Sequence, residues 1–217
     1  MAQGYVRISD LPQVIPVFPL DGAILLPRGQ LPLNIFEPRY LNMLDDVMAG
    51  DRIIGMVQTV GGSRARPKLA PVGCAGRVTA YAETSDGRYL ITLTGIVRFT
   101  VGEELPVGLP YRQVRASYAG FEQDLVAPED NLLFDRHPLL EALKAYLNRR
   151  SLDVDWETAQ EAPQEALVNS LAMALPFEPA AKQALLEAPD LAKRSETLTA
   201  LLAIDAAADD EAPPSVQ

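Results

Sequence analysis

Over the first 120 residues apolar and polar positions alternate in short runs; after about residue 125 the spacing becomes helical. Arg52–Val60 (RIIGMVQTV) is short and β-branched, and Val72–Tyr81 alternates from Cys74 onward. Arg88–Val101 puts Leu90, Thr92 and Thr94 on one face and Tyr89, Ile91 and Leu93 on the other. Gly95, in the middle of that run, predicts a bulge or bend, because a glycine inside a strand gives up packing for backbone freedom. Ser85-Asp86-Gly87 supplies a tight turn before it, and Tyr111–Tyr118 adds a further alternating strand. Several short strands with turn signals predict a closed or nearly closed antiparallel β-barrel. One helix interrupts them. Pro38 suits its first turn, Tyr40, Leu41, Leu44, Val47 and Met48 form its apolar stripe, and Gly50 stops it.

The second half is read as a helical bundle. Leu139, Leu140, Leu143, Tyr146 and Leu147 share one helical face. Pro163 opens a helix carrying Leu167, Leu171 and Leu175, and Pro179 opens another through Ala188. Asp190 is placed as the N-cap of a last helix with Leu191, Leu198, Leu201 and Leu202 inward. The class is therefore α+β. A β-rich subdomain spans 1–122, a helical subdomain 123–205, and an acidic, proline-containing tail, read as disordered, 206–217.

The segment Ile15–Tyr40, IPVFPLDGAILLPRGQLPLNIFEPRY, follows neither period. Pro12, Pro16, Pro19, Pro27, Pro32 and Pro38 rule out a helix through it, because proline removes a donor and clashes with the preceding turn. It must run as short extended pieces with prolines at edges, bulges or strand starts.

Composition narrows the function classes. The 217 residues are 48% apolar, an ordinary globular value. No apolar run reaches the length of a membrane span, and the amino terminus has no signal-peptide pattern. The lone Cys74 forms no internal disulfide, and a soluble, cytoplasmic setting is expected. Charge is uneven. Residues 1–115 carry 12 basic and 10 acidic side chains, a net +2, whereas 116–217 carry 7 and 19, a net −12. That balance argues against nucleic acid as the main partner, since phosphate binding needs clustered Lys and Arg. The basic spot Arg64-Ala65-Arg66-Pro67-Lys68 reads as a solvated hairpin tip.

Four motifs, in order, resemble the amino-terminal substrate-binding domain of Lon proteases. The proline-flanked front segment ending in Phe36-Glu37-Pro38-Arg39-Tyr40 comes first, then Gly73–Thr79 (GCAGRVT), then Thr94–Val101 (TGIVRFTV), then Gln183–Leu201. The likeness covers roughly residues 12–205 and implies a PUA-like barrel followed by a helical bundle. A full Lon protease adds an ATPase and a Ser–Lys peptidase. The phosphate-cradling G-x-x-x-x-G-K-[ST] loop is absent from this sequence, so the chain looks like the free-standing Lon-domain proteins of bacteria and is not expected to be an enzyme. The resemblance implies a binding module of protein quality control. Its expected partners are unfolded proteins, peptides or a full-length Lon protease, with a homodimer also envisaged. PUA-like RNA binding and an accessory role in protease assembly are the alternatives.

The residues offer little catalysis. His137, the only histidine, lies in Asp135-Arg136-His137-Pro138 without a G-x-S-x-G elbow, and reads as a capping or surface residue. One His and one Cys make no zinc site, so neither metal nor cofactor is expected. Cys74 reads as a small buried hydrophobe, and Lys182 and Lys193 as solvent-facing helix residues. Binding is assigned to Ile24, Leu25, Leu26 and Leu31 as apolar contacts and to Glu37 and Arg39 as a polar clamp on a peptide backbone. Each has a structural alternative. The apolar run lacks the alternation of a one-sided strand, so it is either covered on both faces or partly exposed for a partner. Glu37 and Arg39 would otherwise cap and tie local backbone, and Arg98 and Arg194 are expected to link elements.

Overall fold

A computed structural model describes residues 5–63, 66–106, 108–126, 135–150 and 156–207. Contacts divide the chain into two compact units, 1–127 with 175–186, and 128–174 with 187–217.

The first unit is built on a six-stranded sheet. Its strands are β1 (Val14–Pro19), β2 (Gln30–Ile35), β3 (Ile53–Val57), β6 (Val72–Glu83), β7 (Tyr89–Glu104) and β8 (Arg112–Ser117), in spatial order β2-β7-β6-β3-β1-β8. Strand β8 also pairs with the far end of β7, at Thr100↔Ser117 and Val101↔Ala116, so the ladder doubles back on itself. Helix α1 (Pro38–Ala49) joins β2 to β3, and β4 (Thr59–Ser63) with β5 (Arg66–Leu69) forms a separate two-stranded arm.

The expected all-antiparallel arrangement needs correction. β1 and β3 are parallel, in register Val17↔Gly55 and Phe18↔Met56. Parallel neighbours need a long crossover, and β2 and α1 supply it. The single strand expected over Arg52–Val60 is two, β3 and β4, separated at Gln58. Gln58 is buried, and its side chain accepts from Gly22 N (3.1 Å) and donates to Pro179 O (3.0 Å) and Gln183 Oε1 (3.0 Å). Those bonds fasten helix α5 (Pro179–Glu187) to the sheet, together with Gln183 Nε2 to Val72 O (3.1 Å). Consequently α5 groups with the sheet, where periodicity alone had grouped it with the other helices.

Prolines stand on both inner and end strands: Pro16 and Pro19 lie in β1, between β3 and β8. Pro32 lies in β2, the end strand of the sheet, where a missing N–H is tolerated. The bulge expected at Gly95 is present. Ala75 pairs with Val97 and Gly76 with Gly95, leaving Ile96 extra. The core gathers Ile15, Val17, Ile53, Val57, Ala75, Ile96, Val97, Phe99 and Val114, all essentially buried. Helix α1 buries Tyr40, Met43, Leu44 and Val47 and ends at Gly50.

The second unit holds α2 (His137–Arg149), α3 (Trp156–Glu161), α4 (Gln164–Ala174) and α6 (Leu191–Ala207). α2 buries Leu139, Leu143, Tyr146 and Leu147, and α6 buries Leu198 and Leu202. Arg194 Nη1 donates to Asn169 Oδ1 (3.0 Å), both side chains buried, so α6 is tied to α4 by the arginine expected to link elements. Asp190 Oδ1 accepts from Lys193 N (2.8 Å), which is the predicted N-cap. Helix α3, six residues long, is too short to show a periodic signature. Most of the acidic tail lies outside the described residues, as do Arg64 and Ala65 of the basic spot.

Candidate functional site

In the first unit, a groove runs beside the β4–β5 arm in two chambers. The larger, about 590 Å³, is lined by Val60, Pro67, Leu69, Pro71, Val101 and Arg112, among others. The smaller, about 420 Å³, is lined by Pro19, Asp21, Arg39, Tyr40, Pro110 and Tyr111, with Leu20 and Thr59. Pro67 and Arg112 line both chambers.

Arg112 is the strut between them. It rises from β8 and grips Glu104 with Nε (3.0 Å) and Nη2 (2.8 Å), while Nη1 donates to Pro67 O in the arm (2.8 Å). The planar guanidinium makes this three-way tie possible, and a lysine could not reproduce it. Asp21 closes one corner by accepting from Thr59 N (3.1 Å) and from the Thr59 hydroxyl.

Two tyrosines wall the smaller chamber. Tyr111 Oη donates to Asp46 Oδ2 (2.7 Å), and burial, reinforced by that carboxylate, pushes its phenol up to about 12. Tyr40 is 6% exposed, its ring against Phe18 (centroids 4.3 Å) and beneath the Arg39 guanidinium (4.6 Å). Burial raises its phenol too, yet the hydroxyl has no hydrogen-bond partner among the described residues. The hydroxyl is not sealed from solvent, so it is a hydrated donor on a residue that lines the chamber.

The residues proposed from sequence fall into two groups. Ile24, Leu25 and Leu26 are 1%, 0% and 0% exposed, so of the two readings of this segment the core reading holds for these three. The reason is a notch in the sheet. A Cβ on Gly76 would lie 2.5 Å from Leu25 Cδ2, and one on Gly95 2.0 Å from Leu26 O. These glycines let the loop after β1 press onto β6 and β7, covering both sides of the run and removing the need to alternate. Leu31 is half-buried in β2 opposite Leu93 and does not line the groove. Glu37 occupies the N-cap position of α1 without a side-chain capping bond. Arg39 donates through Nε (2.9 Å) and Nη2 (2.8 Å) to Glu37 Oε2, and it alone of the six lines a chamber. Sequence reading missed Asp21, Tyr40, Tyr111 and Arg112. Tyr40 closes the F-E-P-R-Y motif, but no local pattern shows that these four converge.

The other reactive residues stand apart. Cys74 is fully buried. His137 is exposed, its amide bonded to Asp135 Oδ1 (2.9 Å), and it borders a cavity of about 290 Å³ lined by Leu140, Glu141, Lys144, Trp156 and Gln160, a lining without hydroxyl or thiol. Lys182 is a correction: it is 3% exposed, and burial lowers its ammonium pKa. Among the described residues no group of His, Cys, Asp and Glu is arranged to hold a metal ion, and no helix is long and apolar enough to cross a membrane.

The chain is 28% identical over 115 residues to Lon protease 2 of Myxococcus xanthus, a match covering 52% of this chain and 14% of that protein. It is 24% identical over 213 residues to the Lon protease of Cytophaga hutchinsonii, covering 89% of this chain and 24% of the other. The chain thus corresponds to a minor part of these relatives' length. Among solved structures, a Lon N-terminal domain protein from Xanthomonas campestris superposes with a TM-score of 0.61 at 23% identity, covering 86% of this chain and 97% of that one. The N-terminal domain of the Mycobacterium avium complex Lon protease gives 0.60 at 18%, covering 90% and 98%. These two likenesses establish the fold. The family model of the ATP-dependent protease La (LON) substrate-binding domain matches residues 14–203, and the chain belongs to that family.

Proposed function

We propose that this domain is a non-catalytic binding module that seats extended peptide or unfolded polypeptide segments in the two-chambered groove beside the β4–β5 arm. The match to a substrate-binding family over residues 14–203 carries this reading, and the groove supplies a seat of suitable chemistry. Its walls combine proline, leucine, valine and tyrosine with Asp21, Arg39, Thr59, Lys68, Glu104 and Arg112, apolar surface with polar groups that can orient a bound chain. Leu31, Glu37 and Arg39 remain as candidate contacts, Arg39 inside the smaller chamber and Glu37 as its ion-pair partner. The sheet, with β8 returning to β7, is read as the PUA-like barrel, and the setting as cytoplasmic. A full-length Lon protease and a second copy of this chain are further partners under the same reading. The RNA alternative is not favoured, because two of the groove's three cations, Arg39 and Arg112, are matched by carboxylates and Lys68 by itself is no phosphate-binding cluster.

The test is titration of the full chain with a reduced, alkylated, permanently unfolded protein. Pro110→Asp puts a charge on an exposed position of the smaller chamber without touching the core. It should weaken binding about tenfold, as loss of a central contact does. Unchanged binding by a folded variant would move the seat elsewhere.

A further inference from the structure

Resting on that reading, the geometry points to a narrower substrate class: we propose that the smaller chamber selects non-acidic, proline-bearing segments in the polyproline II conformation, with the Tyr40 hydroxyl donating to one of their backbone carbonyls. The first argument is charge matching. Both cations on the chamber wall already have carboxylates, Arg39 with Glu37 (2.8 Å) and Arg112 with Glu104 (2.8 Å), whereas Asp21 is bonded to the neutral Thr59 (3.1 Å). An acidic side chain entering the chamber would lose water, gain no counter-ion and meet the Asp21 carboxylate, so an occupant without acidic groups is the complementary one.

The second argument is the free donor. Tyr40 is more than nine-tenths buried, lines the chamber, and keeps an unbonded hydroxyl. Arg39 Nη1 is likewise without a partner among the described residues, while Nε and Nη2 hold Glu37. Both donors are hydrated and can exchange water for carbonyl oxygens. A polyproline II segment presents carbonyls with no internal hydrogen bonds, and proline carries no N–H needing an acceptor in return. Pro19, Pro67 and Pro110 with the tyrosine edges supply the apolar part of the wall, of the kind that docks such segments, beside Asp21, Thr59 and the two arginines.

The experiment compares four probes against the full chain by fluorescence anisotropy or calorimetry. They are an oligoproline-alanine peptide, a glycine-serine peptide of equal length, the proline peptide carrying alternate aspartates, and a reduced, alkylated unfolded protein. The proline peptide should bind at least about tenfold more tightly than the other short peptides. Tyr40→Phe, which keeps the ring and removes a hydroxyl the fold does not use, should weaken it about 3- to 10-fold, the range for one neutral hydrogen bond. Binding of the unfolded protein with no preference among peptides, or with Tyr40→Phe silent, would overturn this inference and leave the broader reading standing. Failure of every probe to bind would overturn both.

Discussion

Asp124 holds Arg98 on both carboxylate oxygens, Oδ2 to Nε at 2.8 Å and Oδ1 to Nη2 at 2.9 Å, and the pair is almost sealed from solvent. Oδ2 also accepts the Arg98 backbone N–H (2.9 Å), and the remaining Nη1 reaches Leu186 O at 3.2 Å. The arginine therefore fastens β7 to the turn after β8 and to the end of α5, with Phe121 against the guanidinium at 4.8 Å. Removing one partner strands the other charge. Asp124→Ala should cost about 3–5 kcal/mol, and replacing both residues by apolar ones should cost much less. Urea unfolding of the two variants checks this; equal losses would show that the pair contributes through packing alone.

Gly95 is where the front segment meets the sheet. Its N–H donates to Gly29 O (2.9 Å), its carbonyl accepts from Arg28 N (2.8 Å), and a Cβ there would stand 2.0 Å from Leu26 O. Backbone cannot yield as a flexible side chain does. Gly95→Ala should therefore destabilise by about 3 kcal/mol or more, at the upper end of overpacking costs. A denaturation midpoint within error of the parent chain would refute the close approach.

Much of this fold was legible because it is written in local periodicity. The strands β6, β7 and β8, the helices α1, α2, α4, α5 and α6, the bulge at Gly95 and the Asp190 cap all follow from spacing and turn chemistry. What depends on distant parts of the chain was not. Leu25 and Leu26 are buried because Gly76 and Gly95, some 50 to 70 residues later, leave room for them. Lys182 sits on a helix face that would be solvent-facing in isolation and is buried in the folded chain. The parallel β1–β3 pair cannot be inferred from either strand alone. For the groove, sequence reading assigned Arg39 from the F-E-P-R-Y motif, but its meeting with Asp21, Tyr40, Tyr111 and Arg112 is a product of topology.

The core position of the apolar run makes a direct prediction. Leu25→Ala should lower stability by about 2–5 kcal/mol, as for other fully buried leucines. Leu31→Ala, half-buried on the end strand, should cost about 1 kcal/mol. Serine at Leu25 and Leu26 together should unfold the domain rather than switch off binding in a folded one. Circular dichroism beside a binding titration separates these outcomes, and a folded, binding-deficient double variant would return these side chains to the surface.

Alkaline pH should unfold the chain through its tyrosines. Burial, with the Asp46 carboxylate, holds the Tyr111 phenol up at about 12, and burial raises Tyr118, whose hydroxyl donates to Pro12 O (2.8 Å). The unfolded chain gives up these protons near pH 10 while the native state keeps them. Stability is therefore full below about pH 10 and falls as pH rises toward the folded values. Urea midpoints at about pH 9 and 11 should differ in that direction, and Tyr111→Phe with Tyr118→Phe should shrink the difference. A pH-independent midpoint in the parent chain would contradict the burial of both phenols.

Arg112 is predicted to hold the arm rather than the sheet. Its Nη1 bond to Pro67 O links β8 to the β4–β5 pair, where Gly61 and Gly62 both adopt positive φ (76° and 90°) and the register shifts between Thr59 and Gly62. Such backbone favours glycine and gives the arm little packing of its own. Arg112→Ala removes the strut and leaves the β1–β8 ladder, which is made by backbone. Amides of the arm should then exchange about tenfold faster, while those of β6 and β7 keep their protection. If the groove is the seat, the same variant should bind unfolded protein more weakly because the wall between its chambers is no longer fixed. Faster exchange throughout the sheet would instead mark Arg112 as a general stabiliser.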